Sequence, residues 1–225
     1  MENTLMNSQH YPVLIHTGSV RLEGDLIIPA RAQGIVLFAH GSGSSRYSPR
    51  NRAVAKILRH EGLATLLVDL LTAEEEDIDR RTRQLRFDIN LLATRLIGIT
   101  DWLQRTQATR QLNIGYFGAS TGSAAALMAA ARHPDSVKAV VSRGGRPDLV
   151  GSVLERVKAP TLLIVGGYDL PVLTLNHDAF PLLRQTSAKQ LAVIPGATHL
   201  FEEPGALEEV ATMASQWFTR YLVAP

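Results

Sequence analysis

Two hydrophobic patterns take turns along this chain. Short, largely apolar runs are separated by longer stretches in which apolar residues recur three and four positions apart. The runs at 34–39, 63–68, 137–141, 160–165 and 190–194, with one that begins at Leu112, read as strands. Their lack of polar alternation implies burial on both faces, as in a parallel sheet covered by helices. The stretches at 49–60, 85–105, 149–156, 173–184 and 208–221 read as helices, and a further Ala-rich one ends near His133-Pro134. Within 85–105 the apolar face is Ile89, Leu92, Leu96, Ile99 and Leu103. The chain opens differently. Residues 13–17 and 20–28 meet at Gly18-Ser19 and predict an antiparallel hairpin, with Pro12 just ahead of a strand start on a sheet edge. Strand and helix then alternate, so the expected fold is α/β: a doubly wound, mostly parallel sheet of about eight strands with helices on both faces. No linker or composition shift divides it, and 1–225 is read as one domain.

Composition adds exclusions. With 225 residues, 45% apolar and 20% charged, the chain has the makeup of a globular protein with a sizeable core. A formal net charge of +2 argues against a nucleic-acid partner. No run reaches the length of a membrane span. Residues 1–10 are polar and lack the apolar core of an export signal. The absence of cysteine excludes disulfides and thiolate chemistry, and it fits a cytoplasmic location. Glu74-Glu75-Glu76-Asp77 followed by Arg80-Arg81 reads as a solvated loop entering a helix.

The strongest chemical signal is Gly118-Ala119-Ser120-Thr121-Gly122, set between a strand and an Ala-rich helix. A chain that turns from strand into helix within a few residues strains the central residue and leaves no room for side chains two positions either side. This G-x-S-x-G spacing holds a serine hydroxyl above the strand end. Alone it is weak, because small residues also pack helices on strands.

Three further strand ends carry polar groups where an open parallel sheet binds ligands. A serine hydroxyl needs a base, and the base needs an anion that fixes its tautomer. Asp169, after Gly166-Gly167-Tyr168, and His199, after the final strand, follow Ser120 in the order Ser, Asp, His. Each has a plainer reading: Asp169 as a helix cap, His199 as a loop histidine with a structural bond. His10, His60, His133 and His177 look like surface or helix-end residues, His16 lies in the hairpin, and His40 is read as ordering its loop. The backbone N–H groups of Thr121 and Ser42 are the expected donors to an oxyanion. The loop at Gly41-Ser42-Gly43-Ser44-Ser45 lacks the Lys-Ser/Thr of a phosphate loop, and no dinucleotide fingerprint or metal-ligand cluster accompanies it. No cofactor or metal is expected.

His40-Gly41-Ser42-Gly43-Ser44-Ser45-Arg46 with Ser48-Pro49-Arg50-Asn51, the elbow, Gly167-Tyr168-Asp169, and Gly196-Ala197-Thr198-His199-Leu200-Phe201 together resemble the small dienelactone-hydrolase-like branch of the α/β-hydrolases. The resemblance spans nearly the whole chain. It implies Ser120 as nucleophile, Asp169 and His199 as its partners, and Ser42 and Thr121 as oxyanion donors. Dienelactone hydrolase itself uses a cysteine nucleophile, which this chain lacks, so ester hydrolysis by serine is the inheritance and the lactone substrate is not.

The connection at 142–158 leaves room for a loop and one short helix, so no large cap domain is expected. An open site favouring small or short-chain acyl esters follows, lined by Arg46, Tyr47, Leu70, Arg143 and Leu170. Arg46 and Arg143 are candidates to pair with a substrate carboxylate, against the more ordinary roles of ion pair or loop anchor. Two rival readings stay open: a non-catalytic binding or sensing protein on the same scaffold, and acyl transfer or peroxide-dependent chemistry by the same serine. Oligomeric state is left open too.

Overall fold

The protein is described by a computed structural model over residues 8–223. Its strands are β1 (Gln9–Thr17), β2 (Val20–Ile28), β3 (Gly34–Ala39), β4 (Leu63–Val68), β5 (Asn113–Ala119), β6 (Val137–Arg143), β7 (Thr161–Gly166) and β8 (Lys189–Ile194). Its α-helices are α1 (Pro49–His60), α2 (Ala73–Thr82), α3 (Ile89–Arg105), α4 (Thr121–Arg132), α5 (Leu170–Ala179) and α6 (Ala206–Leu222). The strands form one sheet in the order β1-β2-β4-β3-β5-β6-β7-β8, parallel from β4 to β8 and antiparallel at the β1-β2-β4 edge.

Burial on both faces accounts for the lack of polar alternation in the central runs. In β3 every residue is buried; Ile35 and Leu37 join the α3/α4 core, while Val36 and Phe38 join the α1/α6 core. The opposite face of each strand therefore needs its own helix pair, and the crossovers supply it. The central helix α4 lies wholly among other elements, with Ala124–Ala131 buried, which explains why its sequence shows no polar stripe. Among the described residues no helix is long and apolar enough to cross a membrane.

Several boundaries move. β1 starts at Gln9, so Pro12 lies inside it, opposite Asp25; the strand is an edge of the sheet, where a missing N–H is tolerated. The polar opening segment is outside the described residues up to residue 7. The acidic cluster is not a loop but the first turns of α2. Thr72 accepts from Glu75 N–H and Glu75 returns a bond to Thr72 N–H, a reciprocal cap. This helix hides no apolar stripe; its one buried residue is Asp79, which explains why periodicity misses it. The predicted helix over 85–105 begins at Ile89 under an Asp88 cap, after a short 3-10 turn at Leu85–Phe87. The predicted 149–156 helix is a kinked 3-10 segment, Pro147–Arg156, broken at Gly151. The one predicted over 173–184 starts earlier, at Leu170, and ends in a 3-10 turn, Phe180–Leu182.

Asp79 ties α2 to the turn that follows. It accepts from Arg86 N–H at 3.0 Å and pairs with the Arg86 guanidinium through Nε. Burial alone would raise the Asp79 carboxyl; the Arg86 bonds outweigh it and hold the group below the ordinary carboxylate value. The unfolded chain therefore takes up this proton first as pH falls, and the stabilisation is present above the ordinary value of about 3.9 and lost as pH drops through the folded one. Asp79→Asn is expected to lower the melting temperature at neutral pH, and the gap to wild type should close in strong acid. A gap that stays constant from pH 7 down to about 3 would show that the carboxylate's charge is irrelevant.

Candidate active site

The elbow is as tight as its glycines require. A Cβ on Gly118 would meet Ser123 N at 2.8 Å, and one on Gly122 would run into the carbonyl oxygens of Ala39 and His40. Between them Ser120 has φ 50° and ψ −121°, a region that costs an ordinary residue roughly 1–3 kcal/mol. The surroundings hold it there. Ser120 N–H donates to the Arg143 carbonyl at 3.1 Å, and Ser120 O accepts from Ser123 Oγ at 2.7 Å and Arg146 N–H at 3.3 Å. Ser123 is a supporting residue that motif reading passes over; its hydroxyl also accepts from Arg146 N–H at 3.1 Å.

Asp169 stands at the start of α5, yet its side chain makes no capping bond to that helix. It accepts instead from His199 Nδ1 at 2.6 Å. The two loops that carry them are joined by main-chain bonds, Gly167 N–H to Ile194 O at 2.8 Å and Tyr168 N–H to Ala197 O at 2.9 Å. Phe201, two residues after His199, is buried in the α1/α6 core with φ 55°. The His199 ring packs at about 3.4 Å from where a Gly144 Cβ would stand, one residue beyond the strand end that bonds Ser120. Among the described residues no hydrogen bond joins Ser120 Oγ to His199 here; such bonds are often loose without substrate and tighten when it binds.

The loop after β3 is ordered as the sequence reading expects of His40. Buried, it holds two main-chain groups: Nε2 accepts from Leu70 N–H at 3.1 Å, and Nδ1–H donates to the Gly41 carbonyl at 2.9 Å. Burial holds its pKa below the ordinary histidine value despite the Gly41 carbonyl and Asp69, which keeps the ring in the neutral form this pattern needs. Gly41 packs on Ser120, with a Cβ there lying 3.2 Å from the Ser120 Cβ. Ser42 therefore sits beside the elbow, but its N–H donates to Thr121 Oγ1 at 2.8 Å. An oxyanion that uses this amide must displace the threonine hydroxyl.

The five expected lining residues divide sharply. Tyr47 is 55% and Leu170 64% exposed at the rim. Leu70 is wholly buried in the α3/α4 core and cannot touch a ligand; its place at the strand end served His40 rather than the surface. Leu71, which follows it, lines a cleft of about 1280 Å³ that runs from Ser42 past Arg46 and Tyr47 to α2. Ser120, Asp169 and His199 are not in that lining, whereas Ser42 is. Arg46 is an anchor: it pairs with Asp69 by guanidinium and by N–H at 2.7 Å, and with Glu23 at 2.6 Å, and it stacks on Tyr47. Arg143 is buried, 7% exposed. Among the described residues no group of three His, Asp or Glu side chains could hold a metal ion.

This sheet and elbow define a class. The family described as alpha/beta hydrolase fold matches residues 34–157, and the chain belongs to the alpha/beta hydrolase family. Within it, a crystal structure of dienelactone hydrolase from Anabaena variabilis is 66% identical, covers 96% of this chain and 99% of its own, and superposes with a TM-score of 0.93. That places the chain in the dienelactone-hydrolase-like branch. A Mycobacterium tuberculosis protein that carries the name of a candidate phosphoribosyl transferase is 56% identical over 213 residues, 95% of this chain. The chain spans about half the length, 47%, of such curated relatives. Est1E from Butyrivibrio proteoclasticus, 17% identical with a TM-score of 0.76 over 93% of this chain and 98% of its own, shares the fold.

The elbow's geometry carries a prediction. In Gly122→Ala the new methyl meets two main-chain oxygens, which cannot move without shifting β3. The variant should lose roughly 1–3 kcal/mol in urea unfolding, where an ordinary helical Gly→Ala change gains stability. Unchanged or raised stability would show that the turn is looser than drawn.

Proposed function

We propose that the protein is a serine hydrolase of carboxylic esters, acting through Ser120, His199 and Asp169. The observation that carries this reading is the 2.6 Å Asp169–His199 bond set over a serine strained to φ 50°. A carboxylate on Nδ1 fixes the tautomer that leaves Nε2 free to accept a proton. Ser120 Oγ then attacks the ester carbonyl carbon as its proton passes to His199. The alcohol leaves with that proton and an acyl-serine remains. Water repeats the attack, again losing its proton to His199, and the carboxylic acid departs with Ser120 restored. The negative charge that forms on the carbonyl oxygen falls at the start of α4, where the Thr121 N–H and the helix dipole face it, with Ser42 N–H as second donor. The exposed Tyr47 and Leu170 support an open site that suits short acyl groups. A cytoplasmic place of action belongs to the same reading. The transferase name of the longer Mycobacterium relatives concerns chains of which only 47% is matched, and the hydrolase reading concerns the segment that holds the elbow.

Turnover of 4-nitrophenyl acetate tests this. Ser120→Ala and Asp169→Asn should each lower kcat by about 10⁴-fold or more, and the double variant should be little worse than the serine variant alone. Hydrolysis that persists in Ser120→Ala would defeat the serine mechanism. Across 4-nitrophenyl esters of rising chain length, kcat/KM should peak among the shorter acyl groups. A steady rise towards long chains would contradict the open-site reading.

A further inference from the structure

Several threonines within the helices of this protein donate their hydroxyl proton to the carbonyl four residues back. Thr94 donates to Asn90 O at 2.8 Å, Thr100 to Leu96 O at 2.9 Å, Thr174 to Leu170 O at 3.1 Å and Thr212 to Glu208 O at 2.9 Å. Thr121 has no such carbonyl, because it is the first residue of α4 and no turn of helix precedes it. Its hydroxyl accepts from Ser42 N–H at 2.8 Å, and among the described residues the side chain makes no other hydrogen bond. A hydroxyl carries one donor and two lone pairs. At Thr121 the acceptor side is in use and the proton has no acceptor, although the residue is only 3% exposed. Buried donors without a partner are uncommon and costly in natural proteins.

The position of this proton gives it a use. Thr121 follows Ser120, and Gly41, just ahead of Ser42, packs on Ser120, with a Cβ there 3.2 Å from the Ser120 Cβ. The hydroxyl oxygen thus belongs to the residue that supplies one main-chain donor of the proposed mechanism and stands 2.8 Å from the other, Ser42 N–H. The Ser42 loop is held by the His40 ring, which bonds Leu70 N–H and the Gly41 carbonyl. For Ser42 N–H to reach a substrate oxygen directly, the threonine hydroxyl must leave. Donation by the hydroxyl asks for less: the O–H turns about its Cβ–Oγ1 bond and the Ser42 bond stays in place. The amide behind it then polarises the hydroxyl and makes it a better donor.

We propose that the Thr121 side chain is a catalytic donor, whose hydroxyl, backed by Ser42 N–H, hydrogen-bonds the carbonyl oxygen that becomes negative when Ser120 attacks. No covalent bond changes at Thr121, and its proton stays on Oγ1 throughout. The proposal rests on the ester-hydrolase reading, and it adds a side chain where the motif supplies main-chain amides alone. The charge exists only in the transition states and the tetrahedral intermediates, so the hydroxyl acts on rate rather than on ground-state binding.

Two esters decide it: 4-nitrophenyl acetate and its thionoester, in which sulfur replaces the carbonyl oxygen. Sulfur is a weak acceptor, so a lost donor should be felt by the oxygen ester alone. Thr121→Ala should lower kcat/KM for the acetate by about tenfold or more and leave the thionoester nearly unchanged. Thr121→Ser, which keeps the hydroxyl, should restore the wild-type rate on the acetate. If Thr121→Ala does not fold, Thr121→Val takes its place, since it keeps the shape of the side chain. Equal losses on both esters would mean that the substitution only shifts Ser120, and they overturn the proposal. So does an alanine variant as fast as wild type or faster, which would make the hydroxyl a mere plug in front of Ser42 N–H. Either result, with acetate turnover still dependent on Ser120, removes the donor and leaves the hydrolase reading standing. Acetate cleavage that does not depend on Ser120 removes both.

Discussion

Ser120 owes its position to a steric contact that leaves no room for a methyl group. The start of α4 presses so close to the end of β3 that the Ala39 and His40 carbonyls occupy the space a Gly122 side chain would need. That approach forces the main chain at Ser120 into φ 50° and turns its side chain away from the helix cap it would otherwise make. It also sets the Gly41–Ser42 loop on top of the elbow, because that loop leaves the same carbonyls. Ser120 and the Gly41–Ser42 loop are thus placed by one packing constraint. Strain at Ser120 is held by four main-chain and hydroxyl bonds to its carbonyl and amide.

Asp169 and His199 are placed by sheet order. β7 and β8 are neighbours, and bonds between their loops fix Asp169 and His199 as one unit. A comparison inside the molecule shows why order matters more than residue type. Asp69 also ends a buried parallel strand, β4, and is also partly buried. It lies on the other side of β3 and is used up by Arg46, so it anchors the loop that carries Ser42. Two carboxylates at strand ends take two roles, one for each side of the elbow strand.

Most of this arrangement is legible in the residues. β3 and β4 fall where largely apolar runs put them, because strands buried on both faces show no polar alternation to blur their ends. The Gly118 and Gly122 clashes are the ones the motif implies. What periodicity cannot see is stabilisation without an apolar face. α2 is held by a reciprocal cap and by a buried Asp79 that reaches Arg86 across a turn, and charge alone makes it look like a loop. The alternation that marks β1 begins only where its inner face meets the core, so its exposed first residues read as a tail. Leu70 and Arg46 look like site residues because they follow strand ends, yet a strand end points residues into the core and towards its own loop as readily as towards a ligand. No sequence signal distinguishes Arg46 from Arg143; only the carboxylates around the first and their absence around the second separate them.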